Sequence, residues 1–201
     1  MFNYLLSKVW FYNLIQFLLA RKSHQDIQRF LKEAGLLSGK KLILDVGCGP
    51  GDQSKYFEKN YIGIDISPNY ISNAKKKYPS HKFYCRDATN FKLNYLFGGA
   101  VSIGLYHHLS DRDTIRSIKN VLAHLKRNGF FYVVDAIYPE KPYKNILGFI
   151  IRKMDRGRFL RYLDNYIKLL IDSDLRIISI DPMRSGLIDY VIIKIQNTKV
   201  T

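Results

Sequence analysis

The stretch Leu42-Ile43-Leu44-Asp45-Val46-Gly47-Cys48-Gly49-Pro50-Gly51 constrains this chain more than any other. Its apolar run reads as a short, buried parallel strand. It leads straight into a loop with glycine at every second position. Glycine accepts backbone angles closed to other residues and lets the main chain pass close to a ligand. Several nucleotide binders join strand to helix through such a turn. The dinucleotide fingerprint among them needs Gly-x-Gly-x-x-Gly, with a pyrophosphate resting on the turn. Here the third glycine position is Asp52, whose carboxylate would repel a pyrophosphate. The loop speaks against NAD.

The chain around the loop alternates between two periodicities. Ile27, Phe30, Leu31 and Ala34 follow helical spacing up to Gly35. Residues 41–46 are the first strand, and a helix is expected to begin within 53–58. Residues 61–66 form a second apolar run carrying Asp65 near its end. Ser67-Pro68 then starts a helix, since serine caps free amides and proline suits the first turn. Residues 82–85 make a third strand with Asp87 just beyond it, and 99–104 a fourth. After Tyr106-His107-His108-Leu109, Ser110 and Asp111 open a helix that Asn128-Gly129 should end. A fifth strand covers 130–136. Residues 137–158 hold Pro139, Pro142, Gly148 and Gly157 and read as an insertion. A helix over 159–171 follows. Two β-rich runs, 175–180 and 190–195, are joined by residues 181–186 as a hairpin. The alternation predicts an α/β fold with a doubly wound, seven-stranded sheet, mostly parallel with a terminal antiparallel hairpin strand.

The glycine loop, with acids at successive strand ends, resembles the first motifs of class I S-adenosylmethionine-dependent methyltransferases. The resemblance runs from residue 41 to 135 and more loosely to 195, and it implies a Rossmann-like fold and S-adenosyl-L-methionine as cofactor. Gly47, Cys48, Gly49 and Gly51 would then lie along the ligand, with Asp45 holding its ammonium directly or through water. Asp65, about twenty residues past the loop, is placed to accept bonds from both ribose hydroxyls. Asp87, with Ala88 beside it, would receive the adenine amino group. Ile66 would pack on the adenine face, and Ile103 and Gly104 would lie near the methionine part. Each acid also has a local reading: Asp65 can serve the cap at Ser67, and Asp87 suits a turn. For Cys48 the resemblance implies cofactor contact without chemistry, since the sequence dictates no partner histidine. His107-His108-Leu109-Ser110-Asp111 matches a stretch common in one subgroup. It makes His107 the candidate general base or acceptor-orienting group, against a purely structural part in the turn. Relatives often carry an aromatic-Asp pair where this chain has Phe97-Gly98. No metal site is expected.

Charge bears on the acceptor. Thirty-two Lys and Arg against 17 Asp and Glu give a net charge of +15. That excess suits nucleic acid, an anionic membrane surface or an anionic substrate, or simply solvated faces. Two cysteines make no disulfide framework, so a cytoplasmic setting is expected. Residues 1–20 are rich in Leu, Phe, Tyr and Trp, but their longest charge-free run falls short of the roughly 20 residues a bilayer span needs. They read as an amphipathic helix that docks on the domain or makes peripheral membrane contact. The expected organisation is a helical cap over 1–40 and a methyltransferase domain over 41–201, with the insertion near 137–158. Between Glu140 and Arg161 seven basic residues face two acids. Cap and insertion would together cover the acceptor site. The acceptor expected is a small molecule, lipid-like or aromatic, with a polar or anionic end. The alternatives are an RNA methyltransferase and a non-catalytic cofactor-binding regulator.

Overall fold

The computed structural model describes residues 25–155 and 157–198. The expected N-terminal helix within 1–20, and Arg156, lie outside them. One sheet holds β1 (Ile43–Val46), β2 (Tyr61–Asp65), β3 (Lys82–Cys85), β4 (Phe97–Ile103), β5 (Leu125–Ala136), β6 (Ile177–Ser185) and β7 (Ile188–Gln196). Their spatial order is β3-β2-β1-β4-β5-β7-β6. The first five strands pair in parallel. β7 enters antiparallel to β5, and β6 closes the sheet as its edge. Pro182 sits in that edge strand, where one side has no ladder for the missing N–H to break. The doubly wound sheet with a terminal antiparallel hairpin is thus the observed architecture.

Side-chain alternation along the strands feeds two cores. On one face Leu44, Ala100, Phe131 and Val133 meet Ile118 and Val121 of α3 (Asp111–Ala123) and Tyr166 and Leu170 of α5 (Leu163–Ile171). On the other, Ile43, Val101 and Tyr132 meet Ile71 and Ala74 of α2 (Pro68–Lys77), and Ile27 and Leu31 of α1 (25–33). A fifth helix, α4 (Ile146–Lys153), lies within the insertion. The serine caps form as the sequence implies. Ser67 accepts from the N–H of Tyr70, and Ser110 from that of Asp113.

Several boundaries differ from the sequence reading, among them the helix expected over 159–171, which begins only at Leu163. Only one 3-10 turn, Ser54–Tyr56, stands where a helix was expected to begin. Residues 47–60 must form the whole glycine loop and still return to the start of β2, so no length remains for a helix. The end of α3 comes at Ala123, ahead of Asn128-Gly129. Leu125 already pairs with Phe97, and the ladder resumes at Phe130 after an irregularity in which Asn128 takes φ +61°. Residues 181–185, expected as a turn, extend β6, and the reversal comes at Gly186 with φ +61°.

Leu31 is fully buried, which ties α1 energetically to the domain. Leu31→Ala should lower the unfolding free energy by roughly 2–5 kcal/mol in urea titration. A loss below about 1 kcal/mol would mark α1 as loosely attached.

Candidate functional site

Strand order reverses between β1 and β4, and in open α/β sheets ligands bind beyond the strand carboxyl ends at such a point. The glycine loop leaves β1 at that place. Its first two amides, Gly47 and Cys48, both donate to the Ile64 carbonyl, at 2.8 and 2.9 Å. Gly49 N–H donates to Asp65 Oδ2 at 3.0 Å, and Ser67 N–H to Asp65 Oδ1 at 2.8 Å. The loop is therefore fastened to the end of β2 by main chain and carboxylate together. Gly49 (φ +53°) and Gly51 (φ +81°) need glycine for different reasons. A Cβ on Gly51 would press on Phe83 and Ala74, whereas one on Gly49 would enter open space.

The acids of the three strand ends occupy two layers. Asp45 is only 1% exposed, and Tyr61 donates its hydroxyl to Asp45 Oδ2 at 2.6 Å. Burial raises the Asp45 pKa to about 7, opposed by the Tyr61 bond and reinforced by the charge of Asp65. Cys48 lies in the same buried layer. Burial, then the Asp45 and Asp65 charges, push its thiol far above the ordinary range, which keeps it neutral and unreactive. Asp65 and Asp87 are only partly buried. Asp87 Oδ1 accepts both the N–H and the hydroxyl of Thr89, at 2.8 and 2.9 Å, while Ala88 packs on the core behind it. Arg86 N–H bonds the Asp65 carbonyl at 2.9 Å, which keeps the two acids side by side. Ile66, directly after Asp65, is 69% exposed.

These residues fit a ligand carrying a vicinal diol and a flat ring. A carboxylate has about four lone-pair sites, so the two amide bonds leave Asp65 capacity for two hydroxyls. The open space at Gly49 admits close approach, and exposed Ile66 offers an apolar face. Asp45 lies buried beneath them. Among the described residues no group of three or more His, Cys, Asp or Glu is arranged to hold a metal ion.

A second cluster lies at the carboxyl ends of β4 and β5. Ile103 ends β4, Gly104 follows it, and the 3-10 turn Tyr106–His108 comes next. His107 is 7% exposed, and its Nδ1 lies 2.7 Å from Asp135 Oδ1 on β5. Tyr166 donates its hydroxyl to Asp135 Oδ2 at 3.4 Å. On the other side of the ring, Asp155 Oδ1 stands 3.7 Å from Nε2. Gly157 rests its backbone against the imidazole so closely that a Cβ there would drive into the ring. Phe159 N–H adds a 2.9 Å bond to the His107 carbonyl. Arg161 bonds the Tyr106 and Leu109 carbonyls and the Asp111 carboxylate, at 3.0, 2.9 and 2.7 Å. The segment after α4 is thus laid over His107 and fastened there. Burial, with the His107 ring beside it, lowers the pKa of His108.

Two of the seven basic residues of this region are structural. Arg161 is used as above, and buried Arg152 donates to the Asp189 carbonyl at 2.9 Å. Sequence reasoning missed Asp135, Asp155 and Tyr61. Asp135 had a signal, because a lone acid in the run Val133-Val134-Asp135-Ala136-Ile137 needs a buried partner. Asp155 and Tyr61 had none. A cavity of about 500 Å³ lies away from the glycine loop, between the insertion and the β6–β7 hairpin.

Comparison with known proteins points to the same fold. The family described as Methyltransferase domain matches residues 43–129. Ribosomal RNA large subunit methyltransferase E of Brachyspira hyodysenteriae is 32% identical over 106 residues, which cover 45% of this chain and 54% of that protein. Demethylmenaquinone methyltransferase of Chlorobaculum parvum is 27% identical over 140 residues, 63% of this chain and 58% of that one. The chain thus spans little more than half the length of these two curated relatives. The crystal structure of an S-adenosylmethionine-dependent methyltransferase from Methanosarcina mazei superposes with a TM-score of 0.61 at 21% identity, covering 80% of this chain and 93% of that one. Residues 43–129 match the methyltransferase-domain family, and the described chain shares the fold of solved class I S-adenosylmethionine-dependent methyltransferases.

Proposed function

We propose that the protein transfers a methyl group from S-adenosylmethionine to a small acceptor with an apolar body. The observation that carries this reading is the Asp65 carboxylate, tied to the glycine loop through Gly49 and flanked by exposed Ile66 and by Asp87. S-Adenosylmethionine, when bound, supplies an electrophilic methyl on a sulfonium. Around it the chain's own residues do the rest. Asp65 binds the ribose hydroxyls, Asp87 the adenine amino group, and Ile66 covers the ring. Asp45 supplies negative charge behind the loop for the ammonium. Positioning accounts for much of the rate, since the methyl group is already reactive.

His107 is the residue assigned to the acceptor. Asp135 at Nδ1 fixes the tautomer and leaves Nε2 to take a proton. Nε2 now faces Asp155, so an acceptor reaching it displaces that carboxylate and the segment 155–159 with it. The insertion thereby acts as a lid. Among the relatives, the demethylmenaquinone enzyme matches more of this chain than the ribosomal RNA enzyme does, which favours a lipid-like or aromatic acceptor. The +15 charge supports RNA as the second reading, and a steep fall of RNA affinity with salt would identify it.

Calorimetry with S-adenosylhomocysteine should show binding of roughly micromolar strength, about −8 kcal/mol. Asp65→Ala should weaken it by about 10-fold or more by unpairing the hydroxyls. Absence of binding by the wild-type protein, together with binding of NAD, would end the reading. Affinity should also depend on pH through Asp45. Its raised pKa of about 7 means that a cationic ligand must expel a proton below neutrality. Binding should therefore strengthen as pH rises from roughly 5.5 to 7, with net proton release at the lower end. Asp45→Asn should flatten that profile. An unchanged slope in the variant would assign it to another group. Finally, His107→Ala should lower turnover roughly 10- to 1000-fold with cofactor affinity intact. Full activity in that variant would make His107 structural alone.

A further inference from the structure

We propose that the exposed face of α4 and the basic turn before it form a docking surface for an anionic lipid bilayer, distinct from the cofactor cleft. Ile146, Leu147, Ile150 and Met154 are 60, 54, 47 and 47% exposed. At 100° per residue they fall within one third of the helix circumference. Gly148, Ile151 and Arg152 fill the buried side, and the Arg152 guanidinium lies 4.9 Å from the Tyr190 ring of β7, holding the helix on the sheet. Asn145 caps the helix by accepting from Gly148 N–H, while its own amide donates to the Leu187 carbonyl and to Asp189, both at 2.9 Å. An anchored helix that turns four large apolar side chains to solvent is unsatisfied on that side.

The chemistry around the stripe says what would cover it. Lys153 borders it on the helix, and Lys141 and Lys144 lie in the turn that leads into it, with Tyr143 between them 71% exposed. Among the described residues none of these lysines is paired with a carboxylate, whereas Arg152 and Arg184 both are. Lys141 and Lys144 also line the 500 Å³ cavity beside the apolar stripe, where with Arg184 they outnumber the carboxylates of Glu140 and Asp189. Apolar side chains rimmed by lysine and an interfacial tyrosine match a phosphate-bearing membrane surface. The chain's excess of cations acts in the same direction. RNA would satisfy the lysines and leave the stripe in water.

The surface also bears on the acceptor, and in this respect the proposal rests on the methyltransferase reading. The residues that follow α4 pack on His107 through Gly157 and Phe159. Seating α4 on a bilayer would place the lid of that site at the lipid boundary, from which an apolar acceptor can enter.

Cosedimentation of the full chain with vesicles tests this directly, with no cofactor added. Vesicles of equimolar phosphatidylcholine and phosphatidylglycerol should bind the protein, and pure phosphatidylcholine should bind it far less. Leu147→Glu/Ile150→Glu and, separately, Lys141→Glu/Lys144→Glu should each weaken binding about 10-fold or more. Both pairs are exposed, so thermal unfolding and S-adenosylhomocysteine affinity should stay as in the wild type. Should the first pair prove unstable, Leu147→Ser/Ile150→Ser replaces it with the same expected loss. No preference for anionic vesicles overturns the proposal. So does undiminished binding by either variant pair, which would place the contact elsewhere in the chain. Loss of RNA binding without loss of vesicle binding in the lysine pair also overturns it. Failure of cofactor binding with intact vesicle binding would count against the methyltransferase reading alone.

Discussion

The bond from Gly49 N–H to Asp65 Oδ2, 3.0 Å long, is the contact on which the rest of the cleft depends. It joins the loop after β1 to the end of β2, and each of those strands is nearly all buried. Hydrogen bonds to a charged acceptor contribute about 1.5–3 kcal/mol, more than a neutral pair. With Ser67 N–H on its other oxygen, the carboxylate also helps start α2. One side chain thus fixes the loop, the helix and the rim of the site. Asp65 serves the start of α2 through Ser67 and the glycine loop through Gly49 at once. The two bonds orient the carboxylate without exhausting it.

Behind that rim lies a different kind of electrostatics. Asp45 is sealed in and accepts from Tyr61, and its neutral form is the stable one up to about pH 7. A buried acid without a cation is costly to ionise. A positive ligand group on the loop would supply what Asp45 lacks, which is why cofactor and proton are expected to exchange. The His107 cluster is built the other way round. Two carboxylates, Asp135 and Asp155, flank one imidazole, and the backbone of Gly157 closes over it. The arrangement fastens Asp155, Gly157 and Phe159 to His107.

Much of this was legible in the sequence because it is local. A glycine loop between an apolar run and a serine-proline start can be read within thirty or so residues of chain, as in any βαβ unit. Asp65 and Asp87 were singled out through their place at strand ends. The partners of His107 were not found, since Asp135 lies 28 residues away and meets it only when β4 and β5 pair. Tyr61 was read as strand filler, yet its hydroxyl is what makes buried Asp45 tolerable. The expected helix over 53–58 failed for a geometric reason, because chain length between β1 and β2 overrides local propensity. Basic residues between 140 and 161 look alike in sequence, but burial sorts Arg152 and Arg161 into the frame and leaves Lys141, Lys144 and Lys153 exposed.

The central claim is that the loop and the strand-end acids together hold S-adenosylmethionine. A crystal structure of the protein with S-adenosylhomocysteine tests it most directly. That structure should show the ribose hydroxyls on Asp65, the adenine between Ile66 and Asp87, and the amino acid end along residues 47–51. Ligand bound elsewhere, or a ribose that leaves Asp65 untouched, would contradict it.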